Sequence, residues 1–224
     1  DAWRPRAPRY EPLHWDPAEP DPDDVLAAAK LIYAVPNYSN PTGALVPRTH
    51  REALLERVLR AGSWLVEDDP YHVLQLDGPA GPGLLDLDVA DRPAGPYDGP
   101  VVYLGTLSKS LAPGFRVGWA VAEPEMIRML ALTKQGSDLS SSMFAQAVAL
   151  ELLDEGLEKR HVPRIVELYR QRRDAMHETV TRQLGEWFRC DRPAGGMFLW
   201  AEARDAAFST DALYRYALEE RVAF

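Results

Sequence analysis

Three short segments of this 224-residue chain gather residue types that can do chemistry together. The first is Pro36-Asn37-Tyr38-Ser39-Asn40-Pro41-Thr42-Gly43 and the second Glu67-Asp68-Asp69-Pro70-Tyr71. The third is Thr106-Leu107-Ser108-Lys109-Ser110-Leu111-Ala112-Pro113-Gly114-Phe115-Arg116. Singly, each has a plain structural reading. Asn-Pro-Thr-Gly is turn chemistry, the run of carboxylates suits a solvated helix cap or a metal site, and Lys109 suits an open surface. Lysine is scarce, however: of 25 basic residues only Lys30, Lys109, Lys134 and Lys159 are lysines, so each one kept invites attention.

Taken together, the segments supply an amine, a carboxylate, a phenol, an amide and a guanidinium. That is the donor set a pyridoxal phosphate site requires. The amine forms the Schiff base, and a carboxylate facing the pyridine nitrogen keeps it protonated so that the ring can accept electrons. A phenol and an amide can hydrogen-bond the ring's phenolic oxygen, while hydroxyls and a bidentate guanidinium hold the phosphate.

The elements around these segments explain why they should converge. Leu31 to Val35, Ser63 to Glu67, Val101 to Gly105 and Val117 to Ala122 read as short buried strands. Helical patterns cover Asp23 or Asp24 to Lys30, where the aspartates can cap, and Pro47 to Arg60, with Leu54, Leu55, Val58 and Leu59 on one face and Gly62 as terminator. Strands alternating with helices predict an α/β fold with a doubly wound, mostly parallel sheet, in which ligands bind beyond the carboxyl ends of the strands. The chemically rich segments follow strands one, two and three, so a single crevice would collect them. Residues 77 to 100, dense in Gly, Pro and Asp, read as loop. Helices are expected over Glu125 to Gln135, Phe144 to Leu153, His161 to Leu184 and Asp211 to Glu220, with a strand-like stretch at Gly196 to Ala201. The expected division is a partial large cofactor-binding domain over 1–155 and a partial small α+β domain over 156–224. Residues 1 to 22, with six prolines, read as an extended lead-in.

The chain resembles the fold-type I pyridoxal phosphate-dependent aminotransferases of class I/II, the group that includes 2-aminoadipate and aromatic aminotransferases. The match is carried by Asn40-Pro41-Thr42-Gly43, by Asp68 with Tyr71 three residues on, and by Ser108-Lys109 followed by Pro113-Gly114-Phe115-Arg116. Weaker echoes run through Lys134 to Gln146, Tyr169 to Arg173 and Pro193 to Phe198, so the resemblance covers about residues 30 to 224. It implies that Lys109 carries the cofactor and shuttles the substrate's α-proton, and that Asp68 pairs with the pyridine nitrogen. It also implies that Asn40 and Tyr71 bind the phenolic oxygen, and that Arg116, Ser108 and Thr106 hold the phosphate. Relatives usually have Ser where Thr106 stands, and the hydroxyl is kept.

The same resemblance implies transfer of an amino group from an α-amino acid to a 2-oxo acid, in a homodimer. Relatives also carry an N-terminal phosphate-binding turn with a stacking aromatic, and a C-terminal arginine for the substrate carboxylate. Neither has a counterpart here, so the chain is expected to be incomplete at both ends. Two alternatives accompany this reading: the effector-sensing domain of a winged-helix transcription regulator, and a degenerate relative without activity.

Composition narrows the field. With 46% hydrophobic and 26% charged residues the chain is an ordinary globular one, neither disordered nor collagenous. A net charge of −9 argues against nucleic acid as a partner. No apolar run approaches the roughly 18 residues that cross a bilayer, and Asp1 to Tyr10 carries charges and prolines where a signal peptide needs an apolar stretch. A cytoplasmic protein without membrane contact is expected. Cys190, the single cysteine, has no disulfide partner within the chain and reads as structural. The five histidines show no metal-ligand spacing, and His72 alone falls beside a candidate site residue.

Overall fold

The computed structural model describes residues 9–13 and 23–223. Most of the expected lead-in, His14 and the capping side chains of Asp23 and Asp24 lie outside the described residues. The chain runs α1 (Asp23–Ala28), β1 (Leu31–Ala34), α2 (Arg48–Ala61), β2 (Trp64–Asp68), α3 (Leu84–Ala90) and β3 (Val101–Thr106). A 3-10 turn (Pro113–Phe115) precedes β4 (Gly118–Val121). Then come α4 (Pro124–Ser137), α5 (Met143–Asp154), α6 (Leu157–Leu184), β5 (Phe188–Cys190), β6 (Ala201–Ala203) and α7 (Thr210–Glu219).

The main sheet has the order β1-β2-β3-β4, parallel across the first three strands and antiparallel at β4. Among the described residues this order is sequential, without the reversal that double winding produces. One face is covered. Leu26 of α1, Leu54, Leu55 and Val58 of α2, and Leu84 and Leu87 of α3 form one cluster with Ile32, Ala34, Leu65 and Val101 from the strands. Each fully buried aliphatic side chain there contributes roughly 1.5–3 kcal/mol by leaving water. The other face follows from strand alternation: β1 reads exposed, buried, exposed, buried, so Leu31 and Tyr33 point away from the helices.

Gly62 ends α2 as expected, in the left-handed region at φ +67° with its N–H donated to the Val58 carbonyl. Other expectations are corrected. The supposed loop over 77 to 100 contains α3: Asp86 in its first turn accepts the Gly83 N–H at 2.9 Å, and Glu67, seventeen residues away in sequence from Leu84, supplies acceptors that a local reading could not see. Leu59 is 47% exposed, and its expected place on the buried stripe of α2 is taken by Arg51. The long helix begins at Leu157 and carries Pro163 within its second turn. The short strand falls at Ala201–Ala203, paired with the unanticipated β5. Gly196 to Ala201 mostly runs as irregular chain, Gly195 making an isolated bridge to Gln75.

Candidate functional site

Because β1, β2 and β3 are parallel, the loops that follow them leave the sheet along one edge. The carboxylate run at the end of β2 divides three ways there, and strand alternation is the reason. Glu67 points to the covered face and is fully buried. Its two oxygens accept the Leu84 and Leu85 N–H groups at 2.8 Å each, capping α3. Burial pushes the Glu67 carboxyl up, and the two backbone N–H groups oppose the shift. Asp68 points to the open face, where Oδ2 accepts the Tyr33 phenol. Asp69, just past the strand, turns inward again and accepts the Asn37 amide at 3.0 Å.

Asn37 in turn accepts from Arg51 Nη2 at 2.8 Å. The same fully buried guanidinium donates to the carbonyls of Val46, Pro82 and Pro36 at 2.8, 3.0 and 3.3 Å. This chain of bonds ties the loop after β1 to the loop after β2. Burial pushes Asp69 up, opposed chiefly by the Asn37 amide, and His72 Nδ1 stands 3.5 Å from its second oxygen. Glu67 and Asp69 are therefore committed to protein partners while Asp68 uses only Oδ2, and among the described residues no group of three or more His, Cys, Asp or Glu could hold a metal.

Tyr71 is buried by an edge-on contact with Phe198, ring centroids 5.5 Å apart at 89°. Burial raises its phenol above the ordinary value; the Asn40 amide, hydrogen-bonded to it, pulls the other way, and the Asp68 charge adds to the rise. Lys109 Nζ lies 5.9 Å from the Tyr71 ring centroid, and among the described residues no carboxylate pairs with it. Asn40, Asp68, Tyr71 and Lys109 thus converge.

The Thr106 and Ser108 hydroxyls lie 3.0 Å apart, and the Thr106 oxygen also accepts the Ser108 N–H at 3.1 Å. Arg116 is not brought onto them. It sits at the end of the 3-10 turn with φ +54°, and its guanidinium donates to the Pro113 carbonyl at 3.2 Å. Its chain neighbour Val117 does reach Thr106, whose hydroxyl lies 3.2 Å from the Val117 carbonyl.

A cleft opens on the α6 side of Lys109, lined by Leu74, Ser108, Leu111, His161, Tyr169 and Met197. Its far wall is anchored by charge. Arg173 is buried and grips both oxygens of Asp77 at 2.7 and 2.9 Å, and it also donates to Pro193 O at 2.9 Å. Arg170 donates to Leu76 O at 2.9 Å. Backbone bonds from Leu76 to Ala194 and from Gly196 to Leu74 complete the junction. Gly195 allows it: a Cβ there would meet the buried Tyr38 ring at 2.3 Å.

The donor set among the described residues fits pyridoxal phosphate: an amine without a carboxylate partner, a phenol and amide beside it, a carboxylate with Oδ1 uncommitted, and paired hydroxyls. Residues 17–224 match the family model for aminotransferase class I and II. The chain belongs to this family. It is 40% identical over 228 residues to the 2-aminoadipate transaminase of Thermus thermophilus, covering 100% of this chain and 56% of the relative. It is 38% identical to aromatic-amino-acid aminotransferase 1 of Thermococcus litoralis, covering 77% of this chain and 39% of the relative. Among solved structures, the α-aminoadipate aminotransferase LysN of Thermus thermophilus, complexed with N-(5'-phosphopyridoxyl)-L-leucine, superposes with a TM-score of 0.86 at 38% identity. That match covers 100% of this chain and 57% of LysN. More distant matches include helix-turn-helix transcriptional regulators of Bacillus subtilis. The chain thus spans about half the length of the relatives it matches.

Sequence reasoning missed Tyr33 and Arg51, and gave Asn37 and Asp69 no role of their own. Tyr33 was absorbed into an apolar run, yet its period-2 phase with Asp68 across neighbouring parallel strands was a usable signal.

Proposed function

We propose that the protein is a pyridoxal phosphate-dependent aminotransferase that moves an amino group from an α-amino acid to a 2-oxo acid. The observation that carries this reading is the convergence of Lys109, without a carboxylate partner among the described residues, with Tyr71, Asn40 and Asp68 at one sheet edge. When bound, the cofactor supplies an electron-accepting ring that makes the bonds at the substrate's α-carbon labile.

Lys109 Nζ would hold the cofactor covalently, and as a free amine it would serve as the base that carries the proton of the substrate's α-carbon. Asp68 Oδ1 would accept the hydrogen bond of the protonated pyridine nitrogen. Asn40 and Tyr71 would hold the phenolic oxygen. The Thr106 and Ser108 hydroxyls would receive the phosphate, and Arg116 would join them in place of its bond to the Pro113 carbonyl, a bidentate partner being worth more to an exposed guanidinium than a carbonyl. Residues 1–155 belong to the cofactor-binding part and 156–224 to the smaller one. The substrate class is that of the relatives, acidic or aromatic amino acids, and the working form is a cytoplasmic homodimer. The enzyme reading is preferred to the effector-sensing one because the relatives at 38–40% identity are transaminases.

The test is to incubate the purified protein with pyridoxal phosphate, reduce it with borohydride and locate the adduct by peptide mass. A label on Lys109, with a visible band that shifts when amino donors are added, is expected. A folded protein labelled elsewhere, or not at all, overturns the reading.

A further inference from the structure

Asp68 does not stand alone at its end of β2. Tyr33 lies opposite Val66 in the parallel register, and Asp68, two residues beyond Val66, therefore projects from the same face of the sheet. The phenol crosses this diagonal and donates to Asp68 Oδ2. Tyr33 is 58% exposed, so its hydroxyl had water available as a partner and is nevertheless held by the carboxylate. Partial burial and the hydrogen bond to Asp68 keep the phenol well above its ordinary value, so it remains a donor throughout the neutral and mildly alkaline range.

We infer that Tyr33 is a positioning residue for the cofactor: by occupying Oδ2 it fixes the rotation of the Asp68 carboxylate and leaves Oδ1 as the oxygen that meets the pyridine nitrogen. The inference rests on the assignment of Asp68 proposed above. The physical ground is that a carboxylate held by one partner presents the other oxygen in a single direction, whereas an unheld one divides its time among rotamers and water. The strand places the phenol and the strand places the carboxylate, so neither position depends on a loop.

The experiment is a double-mutant cycle between Tyr33→Phe and Asp68→Asn, read by the affinity for pyridoxal phosphate and by the pH midpoint of the bound cofactor's visible band. Tyr33→Phe removes one hydrogen bond to a charged group, and an affinity loss of about tenfold with a moved pH midpoint is expected. In the Asp68→Asn background the same change should cost less than about twofold, because the partner is gone. Tyr33→His keeps an aromatic ring with an N–H donor and should recover part of the loss, which separates the hydrogen bond from ring packing. Parent-like affinity and midpoint in Tyr33→Phe, or an equal loss in the Asp68→Asn background, overturns the inference. If Tyr33→His recovers nothing while Tyr33→Phe is poorly folded, Tyr33 is a packing residue and the inference also falls. A parent protein that carries no adduct on Lys109 overturns the cofactor reading itself and this inference with it. An adduct on Lys109 with an indifferent Tyr33→Phe overturns this inference alone.

Discussion

The two faces of the main sheet treat neighbouring residues in opposite ways. On the helix-covered face, Glu67 is fully buried and spends both oxygens on the N-terminus of α3. One residue later, on the open face, Asp68 has a single phenol for a hydrogen-bond partner among the described residues. The covered face uses its polar groups to close structure, since a buried carboxylate or guanidinium is tolerable only with its hydrogen bonds made. The open face can leave one oxygen uncommitted because it is not sealed. The chemistry proposed for this sheet edge thus rests on a strand whose neighbouring residue, Glu67, is dedicated to stability.

The strongest challenge to that contrast is Arg51→Ala. The guanidinium donates to three backbone carbonyls and to Asn37, and burial itself presses its protonation down, opposed by Glu67 and Asp69. Removing it strands those acceptors and leaves Glu67 and Asp69 without their nearest buried cation. A destabilisation of about 3–5 kcal/mol is expected in urea unfolding. A loss below about 1 kcal/mol would mean that the covered face does not depend on its polar bracket.

A matched pair sharpens the comparison without touching charge. Leu65 is fully buried on β2, and Leu31 is 52% exposed on β1. They occupy opposite faces of adjacent strands, Leu31 lying level with Trp64. Leu65→Ala should cost about 2–5 kcal/mol through lost transfer energy and a residual cavity. Leu31→Ala should stay within about 0.5 kcal/mol. Equal losses would show that the outward face is covered in solution, by a second copy of the chain or another segment, and the contrast drawn here would then belong to an incomplete view of the sheet.

Much of this arrangement was legible in the sequence. The three parallel strands and the loops at their carboxyl ends followed from apolar runs bounded by Pro and Gly, and the family motifs placed Asn40, Asp68, Tyr71 and Lys109 together. Local pattern could not separate the jobs of Glu67, Asp68 and Asp69, because the division depends on which face the helices cover. Helix α3 was hidden for a related reason: beside the local Asp86 bond to the Gly83 N–H, two of its first N–H groups are taken by Glu67 of β2. The burial of Arg173 was not legible either, because its partner, Asp77, is ninety-six residues distant. Arg116 shows the reverse case, a motif residue whose sequence signal is strong while its side chain rests on its own turn.

The smallest expected effect lies at the junction between α6 and the segment after β2. The Arg173 guanidinium, joined by Arg192, holds the Asp77 carboxyl below its ordinary value. The same two arginines bring Asp174 to about 2. A carboxylate whose folded value is depressed stabilises the fold fully above its unfolded value, about 3.9, and loses that contribution as pH falls through the folded one. The thermal midpoint of the parent should therefore exceed that of Asp174→Asn near neutrality, and the difference should close between about pH 4 and pH 2 as the parent's carboxyl takes up its proton. Asp174 lies at the surface, so the gap at neutral pH should also shrink in high salt, whereas the buried Arg173 partner keeps Asp77 less sensitive. A difference that persists unchanged at about pH 2 would assign the effect of the substitution to helix packing in α6. The charged junction would then be incidental to how the cleft beside Lys109 keeps its far wall.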